Sequence, residues 1–177
     1  MTFEELELPG AFVLDLERRQ DERGFFARTW CANELGEHGL NTRLVQANMS
    51  WNPRQGTLRG MHFQHPPHAE AKVVRATRGT IYDVIIDLRE GSKTYKQWIG
   101  VELSADNGRA LYVPEGFAHG FQTLVPDVEV HYLVTAFYTP EAEGGVRWND
   151  PAFGIDWPDP ANAFLSEKDA NWPDFAG

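Results

Sequence analysis

Short runs rich in Val, Ile, Tyr and Phe, cut at close intervals by Gly and Pro, restrict this chain to an all-β fold. The 27 Gly and Pro residues separate segments that alternate in polarity, and alternation of that kind marks half-buried strands. Candidate strands are AFVLDL from Ala11, RLVQANMS from Arg43, LRGMHFQ from Leu58, KVVRATR from Lys72 and TIYDVIIDLR from Thr80, followed by QWIGVEL from Gln97, RALYVP from Arg109 and EVHYLVTAFY from Glu129. Strands of this length and number predict a sandwich or barrel, of which a double-sheet jelly roll is one solution. Helix is expected only in CANELGEHG after Trp30 and in a turn or two from Ser166 to Asn171. With 177 residues, 42% of them hydrophobic, the chain is expected to form one domain spanning 1–177.

The formal net charge of −10 argues against nucleic acid or an anionic membrane as partner. No apolar run reaches the length of a membrane helix, and the acidic opening MTFEELELPG lacks the pattern of a signal peptide. Cys31 is the single cysteine, so no intrachain disulfide or cysteine-built zinc site can form. A cytoplasmic location is the expectation. Charge is unevenly spread: Arg18 to Arg78 holds ten Lys/Arg against five Asp/Glu, so an acidic chain has gathered its cations in one third of its length. That segment is either solvated surface or an anion site.

The segment RGMHFQHPPHAEAK, Arg59 to Lys72, is the densest in groups able to move protons or stabilise an oxyanion. His65 and His68 belong to its proline-rich tip. His62, between Met61 and Phe63, points away from two apolar neighbours if the segment is a strand. YVPEGFAHGFQTL reads as a tight turn presenting His119. Tyr132 and Tyr138, six apart, share one face of a regular strand. Gln46, Asn48 and Ser50 share another face, either solvent-facing or a hydrogen-bonding wall inside a barrel. Asp83 and Asp87 read as the polar side of their strand. Arg59 and His62 are three apart and reach one pocket only if the strand is irregular, with Gly60 as the candidate bulge.

Taken in order, DERGFFARTW, VQANMS, TLRGMHFQ followed by Lys72, YDVIIDLR, PEGFAHGF, the Tyr132/Tyr138 pair and GVRWNDPAFGIDWP resemble the dTDP-4-dehydrorhamnose 3,5-epimerase family, from about Ala11 to Pro173. The resemblance implies a cupin-like jelly roll, a homodimer in which strands and N-terminal residues cross to the partner, and no metal or organic cofactor. It implies a nucleoside-diphosphate 4-keto-6-deoxy sugar as substrate. His62 corresponds to the base, oriented by Asp169; Tyr132 to the acid on the opposite face; Lys72 to the enolate-stabilising residue, with Arg59 and His119 nearby. Arg23, Phe26, Gln46 and Asn48 correspond to nucleotide-diphosphate contacts. The chemistery of such a reaction needs no redox cofactor, because a ketone at C4 acidifies the hydrogens at C3 and C5. It needs a base on one face, a proton donor on the other and positive charge near the oxygen.

The chain departs from the family pattern at Arg28, where the family usually shows Glu; a guanidinium only donates hydrogen bonds, which leaves CDP- or GDP-linked sugars open alongside dTDP. Leu133 and Ala136 likewise replace more polar residues, so inversion of one carbon stays open. Two other readings compete: a metal-binding cupin using His62, His68, Glu70 and His119, weakened by Gln64 at the place of a second histidine, and a non-catalytic sugar-binding domain.

Overall fold

The alternating segments resolve into thirteen strands in a computed structural model that describes residues 1–176. They are β1 Thr2–Glu5, β2 Phe12–Asp15, β3 Arg19–Asp21, β4 Gly24–Phe26, β5 Gln46–Asn52, β6 Leu58–Gln64, β7 Lys72–Arg78, β8 Thr80–Asp87, β9 Trp98–Ser104, β10 Ala110–Val113, β11 Phe117–Thr123, β12 Val128–Val134 and β13 Glu143–Gly145. Two short helices, α1 Ala32–Glu37 and α2 Glu167–Ala170, fall where the sequence predicts helix. A six-stranded sheet runs β1-β2-β10-β7-β12-β5 and a five-stranded sheet β13-β6-β11-β8-β9. These two antiparallel sheets face each other as a double-sheet jelly roll. The hairpin β3-β4 forms a small sheet of its own. Among the described residues no helix is long and apolar enough to cross a membrane.

Period two sorts the side chains into layers. Val74 and Ala76 of β7, Ile81 and Ile85 of β8, Phe117 and Phe121 of β11, and Val128 and Val130 of β12 fill the space between the sheets. The intervening Val84, Ile86 and Ala118 point the other way, into a second cluster closed by Phe153 and Trp157 of the C-terminal segment. A third cluster, with Leu35 of α1, lies against Phe12, Leu14, Val73 and Tyr112. Strand β8 is therefore buried on both sides, which is why its polar residues do not lie at a surface. Asp83 and Asp87 are fully buried, correcting their reading as a polar strand side.

Strand β11 corrects a second expectation. Its seven residues are all buried and it sits between β6 and β8, so His119 is presented by a central strand and not by a turn. The expected irregularity beside it is present. His119 pairs with His62, yet Phe121 pairs with Arg59, so β6 carries one residue more than β11 across this stretch. The extra residue turns Arg59 to the same side as His62 while Leu58 and Met61 enter the outer cluster. Gly60 has φ 144°, and a Cβ there would lie 2.6 Å from Cα of Gly120. A Cβ on Gly120 would in turn meet Sδ of Met61 at 2.6 Å. Two facing glycines are thus required for the strands to approach.

Two outcomes follow from this packing. Gly60→Ala combines a Gly-only backbone conformation with overpacking and should cost roughly 2–5 kcal/mol in urea denaturation; a loss below about 0.5 kcal/mol would contradict the bulge. Asp87 accepts from Nε (2.9 Å) and Nη2 (2.8 Å) of Arg89, from Oγ of Ser92 (2.6 Å) and from Oγ1 of Thr94 (2.7 Å). Burial works against its charge, but these donors hold the carboxyl well below the usual range. A depressed folded-state pKa stabilises the fold above the ordinary carboxylate range and is lost as pH falls through it. Asp87→Asn should therefore destabilise by about 1–3 kcal/mol at neutral pH, with the gap to the native chain closing below about pH 4. A gap that does not change with pH would contradict the assignment.

Candidate active site

Five inward-facing rows converge at one end of the space between the sheets: Gln46, Asn48, Ser50 and Asn52 of β5, Arg59 and His62 of β6, Lys72 of β7, His119 of β11 and Tyr132 of β12. A cavity of about 420 Å³ is lined by Gln46, Asn48, Glu70, Lys72, Tyr132, Val134 and Tyr138. The polar row of β5 is thus a wall facing the interior, with Asn48 open to the cavity, while Ala47, Met49 and Trp51 are exposed on the opposite face.

His62 is fixed from outside its own sheet. Its Nε2 lies 2.6 Å from Oδ1 of Asp169 on α2. Ser166 caps that helix, its side chain accepting from the Asp169 amide at 3.1 Å. Trp172 meets the imidazole edge-on, with centroids 6.3 Å apart. Gly145 leaves room for the indole, since a Cβ there would lie 2.2 Å from it. Burial works against the Asp169 charge, but the bond to His62 holds its carboxyl below the usual range. Asp169 is therefore ionised at neutral pH and orients the ring.

His119 has a partner of the same kind in Asp83, with Nε2 to Oδ1 at 2.8 Å in a fully buried setting. The second oxygen, Oδ2, has no hydrogen-bond partner among the described residues. His119 also meets Tyr132 edge-on at 6.4 Å, so the two sheets touch through these rings. Lys72 lies 3.2 Å from Glu70, both largely buried. Burial pushes the Tyr132 phenol strongly up, opposed by a hydrogen bond with Ser50 and by Arg59 and aided by Asp83.

Tyr138 reaches the cavity by a route the sequence does not show. Strand β12 ends at Val134, so the two tyrosines do not share a regular strand. Gln64 instead anchors the following loop, accepting from the Thr139 amide (2.7 Å) and donating to the Phe137 carbonyl (3.3 Å). The Tyr138 amide donates to Oε1 of Gln46 at 2.6 Å and its hydroxyl to Glu143 at 2.9 Å. Glu143, unremarkable in the sequence, also takes Nζ of Lys168 at 2.5 Å; burial works against its charge, but Lys168 and the Tyr138 hydroxyl hold its carboxyl below the usual range.

Arg23, Phe26 and Arg28 do not join this group within the chain. Arg23, between β3 and β4, is bound to Asp21 at 2.6 Å, and Phe26 of β4 is 72% exposed. Arg28 pairs with Glu34, which also holds the N-terminal amine at 2.8 Å. The histidines weighed as metal ligands are engaged elsewhere: His62 with Asp169, His119 with Asp83, and His68 at an exposed turn facing Thr139. Among the described residues no three His, Cys, Asp or Glu side chains are grouped to hold a metal ion.

Comparison with known proteins agrees with the architecture. The family model for dTDP-4-dehydrorhamnose 3,5-epimerase matches residues 5–177. The enzyme of that name from Methanothermobacter thermautotrophicus is 45% identical, over 96% of this chain and 92% of the relative. The crystal structure of the dTDP-4-dehydrorhamnose 3,5-epimerase of Elizabethkingia anophelis superposes with a TM-score of 0.96 at 41% identity, covering 99% of this chain and 96% of that one. That of Bacillus anthracis, with TDP and PPi bound, gives 0.94 at 43%, covering 98% and 99%. With its near-complete coverage by sequence and structure alike, this chain belongs to the dTDP-4-dehydrorhamnose 3,5-epimerase family, whose members are isomerases.

Proposed function

We propose that this protein inverts C3 and C5 of dTDP-4-keto-6-deoxy-D-glucose, giving dTDP-4-keto-L-rhamnose in deoxysugar biosynthesis, without metal or organic cofactor. The observation that carries the reading is the placement of a carboxylate-oriented imidazole, His62, on one sheet and a buried phenol, Tyr132, on the other. A sugar ring held between them meets a base on one face and an acid on the opposite face. His62 removes the proton from C3 or C5 and the pair of electrons moves onto the C4 oxygen as an enolate. Lys72, with Arg59 and His119, lowers the energy of that oxyanion. Tyr132 returns a proton to the opposite face, and the carbon is inverted. The aspartate keeps the imidazole in one tautomer and stabilises its protonated form, as in other His/Asp pairs.

Gln46, Asn48 and Tyr138 serve as substrate contacts along the cavity wall. The bound TDP and PPi of the Bacillus anthracis relative support a dTDP-linked substrate, and the cation-rich portion of the chain suits its diphosphate. Arg23, Phe26 and Arg28 stand outside the cavity of their own chain, and a homodimer gives them a role: the exposed β3-β4 hairpin of one protomer reaches the cavity of its partner. The exposure of Phe25 (53%) and Phe26 (72%) supports such a contact. Residues 1–177 act as one domain, in the cytoplasm.

The reading is tested by incubating the protein with dTDP-4-keto-6-deoxyglucose in D2O and following deuterium at C3 and C5 by NMR. Exchange at both carbons, reduced by about 10²–10⁴-fold in His62→Ala, is the expected result. Exchange at a single carbon would make the protein a mono-epimerase, and none with dTDP, CDP or GDP sugars would overturn the proposal.

A further inference from the structure

An acid should have a pKa near the working pH, and Tyr132 is placed against that requirement: burial and the nearby Asp83 both favour its neutral phenol. The groups opposing them are joined in one line. Nε of Arg59 donates to Oδ1 of Asn52 at 2.7 Å. Nδ2 of Asn52 donates to Oγ of Ser50 at 3.3 Å, and to the Val128 carbonyl at 3.3 Å. Oγ of Ser50 lies 3.0 Å from the phenol oxygen of Tyr132. Asn52 is fully buried, and its two donor contacts fix which end of the amide faces Arg59. Period two along β5 sets Ser50 and Asn52 on the same inward face.

We propose that Ser50 and Asn52 are positioning residues that relay the charge of Arg59 to Tyr132, a role that rests on Tyr132 acting as the acid of the epimerase reaction. Arg59 polarises the Asn52 amide, which becomes a better donor to Ser50, and Ser50 in turn a better donor to the phenol oxygen. In the proposed relay Ser50 accepts from Asn52 and gives its own proton to the Tyr132 oxygen, 3.0 Å away. The phenol proton is then left to face the cavity. When the O–H bond of Tyr132 breaks, the enolate electron pair forms the new C–H bond and the negative charge remains on the phenol oxygen. The Ser50 hydroxyl holds that charge until water returns the proton. The connection also gives Arg59, which is exposed, influence over an acid that it does not touch.

The test uses full-length protein with 3-fluorotyrosine at position 132, whose phenol titration is read by ¹⁹F NMR without substrate, alongside steady-state kinetics of the unlabelled enzyme. In Ser50→Ala the phenol should titrate at higher pH, with kcat about tenfold lower, the rate equivalent of one hydrogen bond, and KM unchanged. Ser50→Thr, which keeps the hydroxyl, should restore both. An unshifted titration in Ser50→Ala would overturn the proposal, as would a loss confined to KM or a Ser50→Thr variant as impaired as Ser50→Ala. Since the titration needs no turnover, failure of the relay is distinguished from failure of the epimerase reading, which would show as an inactive parent enzyme.

Discussion

The close approach of β6 to β11 at Gly60 and Gly120 decides where the chemistry of this protein can sit. A regular β6 would send Arg59 and His62 to opposite faces, leaving one of them in the outer apolar cluster with Met61. The bulge keeps the apolar Leu58 and Met61 outside and brings both polar side chains inside, beside His119. It works only because neither facing residue has a Cβ. The backbone at this point thus converts one sequence spacing into a site, and the buried central strand β11 pairs alongside it.

Placing so many polar groups inside a β-barrel has a cost that the fold offsets by pairing. Three of the basic side chains facing the interior each have a carboxylate partner: His62 has Asp169, His119 has Asp83, and Lys72 has Glu70. Removing one member of such a pair leaves the buried polar atoms of the other without their hydrogen-bond partner, which is destabilising by about 1–3 kcal/mol. The partners also come from different elements, α2 and β8 among them. Orientation of the candidate base therefore depends on the C-terminal segment being folded over the barrel, and the outer cluster around Phe153 and Trp157 has a functional consequence as well as a structural one.

The strands that alternate strongly were legible in the sequence: LRGMHFQ and KVVRATR coincide with β6 and β7. So was the bulge, because the spacing of Arg59 and His62 demanded one. Strand β11 was not, since its Gly120 and the flanking Pro114 and Gly116 carry turn chemistry that tertiary pairing on both sides overrides. Asp83 was misread because polarity alternation in β8 usually means one wet face, whereas here both faces are covered. Glu143 and the true route of Tyr138 depend on Gln64 clasping a distant loop, which no local pattern encodes. The hairpin bearing Arg23 and Phe26 was placed only through resemblance, and its separation from the cavity of its own chain emerges from the fold.

Inversion in this protein requires His62 and Tyr132 to act from opposite sides of one sugar ring. The direct measurement is the fate of dTDP-4-keto-6-deoxyglucose in D2O with Tyr132→Phe and with His62→Asn. Removal of the acid alone should leave deuterium entering at carbon without inversion, because His62 still takes and returns protons on its own face, while His62→Asn should abolish both exchange and inversion. Inversion by Tyr132→Phe at the native rate, or continued exchange in His62→Asn, would contradict the division of labour between the two sheets.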